Sequence, residues 1–108
     1  MGNGKILNSF DVTINDISFL LAADSGNIVL FINTIDSNFV SPEGIRVGMP
    51  IRNALEIANS EIKRKIWTHY TEYYVTLPSG WQAAIQSKEK PNPDEPIQVL
   101  LKNRYLTD

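Results

Sequence analysis

The stretch FVSPEGIRVGMPI, Phe39 to Ile51, decides how this chain is read. It holds two prolines, Pro42 and Pro50, and two glycines, Gly44 and Gly48, yet keeps Phe39, Val40, Ile45, Val47, Met49 and Ile51 among them. Two readings compete: a loop that cradles an anion, or a bracket that turns the chain from a sheet into a helix. A phosphate loop needs glycines whose N–H groups converge, then Lys and Ser or Thr opening a helix. Here Met49-Pro50 occupies that place, and Pro50 removes one of the N–H groups that a phosphate would use. Arg46 is the one positive charge in the stretch. The bracket accounts for every residue. Pro42-Glu43-Gly44 makes a turn with glycine at the left-handed position. Ile45 and Val47 point inward from a short extended segment, and Gly48 re-aims the chain.

Downstream of the bracket the apolar spacing becomes helical. Ile51, Leu55, Ala58 and Ile62 fall at i, i+4, i+7 and i+11, with Ala54 beside them. Pro50 suits the first helical position, where its missing N–H costs nothing. The spacing predicts a helix over Pro50–Asn59 with a ragged end through SEIKRK, its stripe covering the apolar face of the sheet.

Upstream, the period is two. Phe10, Val12 and Ile14 alternate with polar residues, then Asn15-Asp16 precedes Ile17, Phe19 and Leu21. Asn and Asp tolerate the positive φ of a type I′ turn, so the hairpin pairs Ile14 with Ile17, Val12 with Phe19 and Phe10 with Leu21. A second turn at Ser25-Gly26 pairs Ala23 with Ile28, Leu21 with Leu30 and Phe19 with Ile32. Both turns put the apolar set on one face, and a slip of one residue would reverse it. The opposite face carries Leu20 across from Phe31 and Ala22 across from Val29. That apolar patch is either covered by other chain or is a partner surface.

The last third repeats the pattern. YYVTLPSGWQAAI reads as a hairpin around Pro78-Ser79-Gly80, with Leu77 facing Trp81, Val75 facing Ala83 and Tyr73 facing Ile85. Gln86–Pro96 is polar and proline-rich and reads as a mobile loop. Ile97, Val99 and Leu101 alternate in a final strand. Between helix and hairpin, KIWTHYTEYY supplies Trp67, Tyr70, Tyr73 and Tyr74, residue types that serve both as core and as interface anchors.

Residues 27–58 resemble a pattern in uncharacterised small bacterial secreted or lipoprotein-type domains, Ser/Thr-x-x-Gly-Ile-x-Val-Gly ahead of a short helix. The matching positions are Ser41, Gly44, Ile45, Val47 and Gly48. Such domains are similar to β-lactamase-inhibitor-like and outer-membrane assembly lipoprotein modules in their plan of helix and antiparallel sheet. The resemblance implies a binding role outside the cytoplasm and carries over no catalytic residue. The chain has no lipobox cysteine, and MGNGKILNSF lacks the regions of a signal peptide. A periplasmic or secreted place is therefore expected from the resemblance alone, with the cytoplasm left open.

Composition narrows the chemistry. The 108 residues are 43% apolar and 20% charged, within the range of one globular domain spanning residues 1–108. Net charge is −2 and no basic block stands out, which argues against nucleic acid as a partner. No run approaches the roughly eighteen apolar residues of a membrane span. Cysteine is absent and His69 is the one histidine, so no metal site is expected. Ser79, His69 and Asp94 could form a triad on paper, but LPSGW is no nucleophile elbow and the turn explains its residues. No catalytic residue and no cofactor is assigned.

The expected fold is α+β: an antiparallel sheet of about six strands, βββ-α-βββ, with one helix on one face. The expected function is a non-catalytic protein-interaction module of inhibitor, immunity or envelope type. Its contact residues are Leu20, Val29, Phe31, Tyr70 and Tyr74, and its partner is another protein or a second copy. The alternative is a small-ligand domain or enzyme with a pocket between helix and sheet, near Trp67, His69 and Trp81.

Overall fold

The computed structural model of the chain describes residues 8–23 and 29–103. They form seven strands and one helix: β1 (Asn8–Ile14), β2 (Ile17–Ala23), β3 (Val29–Thr34), α1 (Ile51–Ala58), β4 (Lys63–Ile66), β5 (Thr71–Thr76), β6 (Gln82–Gln86) and β7 (Val99–Asn103). All strands join one antiparallel sheet in the order β1-β2-β3-β7-β6-β5-β4. Two meanders thus meet where β7 closes against β3, and the helix lies on the connection between them. The α+β class holds. Among the described residues there are seven strands, where about six were expected.

The β1–β2 hairpin has the expected register, Ile14 opposite Ile17 and Phe10 opposite Leu21. Asn15 and Asp16 both have positive φ, 52° and 65°, as a type I′ turn requires. The β2–β3 register differs. Leu21 faces Ile32, not Leu30, and the ladder carries a bulge between Ala22 and Ala23. The described ladder ends at Ala23 opposite Val29. The Ser25-Gly26 turn itself lies outside the described residues. Because the displacement is even, the apolar residues stay on their face. The cross-strand neighbours change: Leu20 lies opposite Asn33, and Phe31 opposite Ala22.

The β5–β6 hairpin also matches, with Tyr73 opposite Ile85 and Val75 opposite Ala83. Leu77 N–H donates to Trp81 C=O at 2.7 Å, and Gly80 turns with φ 98°. The fourth strand was not expected. The helix stops at Asn59, whose left-handed backbone (φ 50°, ψ 49°) caps it, and the Ser60 N–H reaches back to Leu55 C=O. Ile62, although in helical step with Ile51, then packs on the core from the extended segment ahead of β4. Lys63-Arg64-Lys65 forms the sheet's edge, where charge discourages edge-to-edge pairing.

The bracket is stitched to the chain ahead of β7. Gly48 N–H donates to Ile97 C=O at 2.9 Å, and Ile97 N–H returns a bond to Met49 C=O at 2.8 Å. Ile51 N–H and Arg52 N–H, at the start of α1, donate to the carbonyls of Glu95 and Pro93. Those donors are what an anion would need, so the phosphate-loop reading is excluded. The same bonds hold the Gln86–Pro96 segment at its far end, with Pro91 buried, against the expectation of a mobile loop. Gly44 takes φ 88° in the turn after Ser41, and Ser41 Oγ accepts the Ile45 N–H at 3.1 Å.

The core sits under the second meander. Ile45 (1% exposed), Ile51 (0%), Ala54 and Ile97 pack with Val75, Ala83, Ile85 and Leu100. The helix touches β5 and β6, not the opening meander it was expected to shield. Phe39 bridges the two regions, its ring 5.4 Å from Phe19 and 4.8 Å from Trp81. Beyond Phe39 the first hairpin runs past the cover, and Ile14 is 53% exposed.

Glu43 adds a clamp. Its carboxylate accepts the Ser79 N–H at 2.6 Å and the Ser79 hydroxyl at 2.9 Å, tying the bracket to the β5–β6 turn. Burial pushes this carboxyl up, but the two Ser79 bonds outweigh it and hold it below its ordinary value.

This packing separates two isoleucines. Ile51→Ala should cost about 2–5 kcal/mol in urea unfolding, as a cavity in a closed core does. Ile14→Ser should change stability by less than about 0.5 kcal/mol, as at an exposed site.

Candidate functional site

No helix or strand among the described residues lies across the sheet face away from the helix, although Ala84, Gln82 and Leu101 are buried within it, and its residues follow from the ladders. Glu72 on β5 lies opposite Gln86 on β6, Ala84 on β6 opposite Val99 on β7, and Leu101 on β7 opposite Asn33 on β3. Phe31 takes the same side as Asn33 two residues earlier. Across this face runs a groove of about 370 Å³. Phe31, Ile35, Val99 and Leu101 supply an apolar floor and one wall. Trp67, Tyr70 and Glu72 line the other side, Asn33 stands with Phe31 on β3, and Gln86 and Gln98 complete the lining.

The aromatic wall is built by the β4–β5 turn. Trp67 N–H donates to Tyr70 C=O at 2.8 Å, closing the turn and setting the two rings 6.1 Å apart at 31°. Tyr70 is 43% exposed, so the wall meets solvent. The Lys65 ammonium lies 4.8 Å over the Trp67 ring. The Gln98 amide is occupied in pinning the sheet: its oxygen accepts the Gln86 N–H at 3.0 Å, and its nitrogen donates to Gln86 C=O.

Glu72 is the unusual member. It is 7% exposed, a carboxyl set in the groove wall. Burial pushes its pKa up, and the Trp67 indole and the Lys65 ammonium pull it back only in part. Burial also raises the Tyr70 phenol, with the Glu72 charge adding to the shift.

Of the expected contact residues, Phe31 and Tyr70 line this groove from opposite sides. Leu20 is half-buried on the same face and lines a neighbouring depression with Thr13, Ser18 and Asn33. Tyr74 shares the face, opposite Ala84 and Lys63, but lies outside the groove lining. Val29 stands on β3 opposite Ala23, and its side chain lies outside the described set. The contiguous patch expected from Leu20 against Phe31 is therefore broken by Asn33, a consequence of the bulged β2–β3 ladder.

The alternative pocket does not assemble. Trp81 packs on Phe39 on the helix side, Trp67 lies on the open side, and His69 is exposed in the turn between β4 and β5. Ser79 and His69 flank the two ends of β5, whose six residues at about 3.3 Å each hold them roughly 20 Å apart. Asp94 pairs with Arg52 at the helix start. Among the described residues no group of three or more His, Asp and Glu side chains could hold a metal ion, and no helix is long and apolar enough to cross a membrane.

Sequence reading passed over Glu72. The signal was present: in TEYYVT, alternation puts Glu72 and Tyr74 on one side and Tyr73 and Val75 on the other. With Tyr73 and Val75 assigned to the core, Glu72 falls on the open face beside Trp67 and Tyr70.

No family model matches the sequence, and no curated protein matches it. The fold is similar to that in the crystal structure of the uncharacterized protein YfeY from Escherichia coli, with a TM-score of 0.52 at 12% identity, covering 92% of this chain and 82% of that one. At that identity the likeness concerns the fold alone.

The raised carboxyl sets a pH signature. Glu72 has a higher pKa folded than unfolded, so its contribution to stability is full below the unfolded value and is lost as pH rises through the folded value. Glu72→Gln should accordingly be more stable than the native chain at neutral pH, and this gain should vanish in acid. Urea titrations at a series of pH values measure it.

Proposed function

We propose that the protein is a non-catalytic interaction module that binds a protein partner through the open face of its sheet. The observation that carries this reading is the groove between Phe31 and the Trp67–Tyr70 wall. It sets aromatic anchors at the solvent boundary of a sheet whose other face is packed against the helix and bracket over β5, β6 and β7. Aromatic side chains supply much of the energy at interfaces, because they bury large area at small entropic cost. The sheet holds Phe31 and a hydrogen-bonded turn holds Trp67 and Tyr70, so binding needs little reordering. Phe31 and Tyr70 act as anchors, with Trp67 beside them and Leu20 and Tyr74 on the flanks. The envelope-type role rests on the Ser41 to Gly48 resemblance and goes with this binding reading.

A photo-crosslinking amino acid placed at Tyr70 should yield one discrete adduct in the native host, while the same group at Glu56 on the helix should yield none. Phe31→Asp should reduce the Tyr70 adduct at least about tenfold, as loss of a buried aromatic anchor does. An adduct with a second copy of the chain would identify the partner as itself. Equal adducts from both faces, or no effect of Phe31→Asp in a folded variant, would remove the open face as the binding surface.

A further inference from the structure

The groove contains the means to choose its occupant. Among the described residues that line it, Glu72 carries a negative charge when ionised and none is lysine or arginine. Its carboxyl accepts a hydrogen bond from the Trp67 side chain and its charge acts on the Tyr70 phenol, and the Asn33 and Gln86 side chains line the stretch toward Phe31. A carboxylate with aromatic rings beside it is complementary to an organic cation. The chain itself supplies an internal instance: the Lys65 ammonium, directly across the β4–β5 ladder from Glu72, lies 4.8 Å over the Trp67 ring.

The geometry points to a side-chain subsite for an arginine of the partner, its guanidinium pairing with the Glu72 carboxylate and stacking against Trp67 and Tyr70. This rests on the interaction-module reading and adds the chemistry of the residue that is read. Arginine fits better than lysine, since its planar, weakly hydrated head both stacks and binds a carboxylate through two N–H groups. An acidic occupant would meet Glu72 at close range, and a purely apolar one would desolvate its carboxylate further while adding no charge to that of Lys65. A groove of about 370 Å³ is at the lower end of ligand pockets, enough for one side chain and its flanking backbone.

The subsite is also sensitive to acid. The groups facing Glu72 are Lys65 from β4, Trp67 and Tyr70 from the turn, and the neutral Gln86 from β6. Only the ionised carboxyl pairs with a guanidinium, so affinity should be full above the pKa of free Glu72 and weaken as pH falls below it.

The test is an NMR titration of the full chain with N-acetyl-arginine-N-methylamide, with the matching citrulline derivative as the uncharged control. The arginine probe should give saturable shifts at the Trp67 indole N–H and at the Glu72 and Gln86 amides. Its affinity should exceed that of citrulline, and Glu72→Gln should lower it about tenfold and abolish its pH dependence. The amide spectrum of Glu72→Gln confirms its fold in the same experiment. Equal shifts from citrulline, shifts outside the groove, or an affinity unchanged in Glu72→Gln would overturn the proposal. Tighter binding of free arginine than of the blocked residue would overturn it too, by pointing to a free amino acid. Crosslinking at Tyr70 with no arginine-dependent shifts would leave the interaction face standing and remove only its cationic subsite.

Discussion

Two backbone hydrogen bonds, Gly48 N–H to Ile97 C=O and Ile97 N–H to Met49 C=O, join the bracket to the chain that becomes β7. Around them close Ile45, Ile51 and Ile97, each with almost no exposed surface, against Val75, Ala83 and Leu100. The two meanders have no tight turn between them. What makes them one sheet is that β7 lies between β3 and β6, and the strap fixes where β7 begins. Backbone groups of the Pro-Gly segment are thereby paired within the chain beside the buried Ile45, Ile51 and Ile97.

This arrangement determines which surface is free. The strap, the helix and the 91–97 segment all lie on one side, so the opposite side of β3, β7, β6 and β5 has no element across it among the described residues. The groove is a consequence of that asymmetry. Its aromatic wall comes from the Trp67–Tyr70 turn that joins the short β4 edge strand to β5. Sheet ladders, not loops, place Phe31, Glu72 and Leu101, which fixes the spacing of apolar floor and charged wall.

Much of the fold was legible because two hairpins carry their own turn chemistry. Asn15-Asp16 and Pro78-Ser79-Gly80 each specify a register that the alternating residues then confirm. The bracket was legible for a similar reason, since Gly44 and Gly48 both take positive φ. Two features were not. Lys63–Ile66 looks polar and continues a helical spacing through Ile62, and only the left-handed Asn59 reveals that the helix has ended. The β2–β3 bulge between Ala22 and Ala23 shifts the register by a step that alternation does not encode. Of the expected contact residues, Phe31 and Tyr70 line the groove. Glu72 was missed because a charged residue on an open face reads as solvated until tertiary structure closes around it.

Native-state hydrogen exchange tests the strap most directly. If it holds the sheet together, the amides of Gly48, Ile51 and Ile97 exchange only through global unfolding, with the same free energy as Ala84 and Val75 in the central strands. If those three amides open at low cost while the strands stay protected, the bracket is an ornament on a self-sufficient sheet, and the account of what unites the two meanders is wrong.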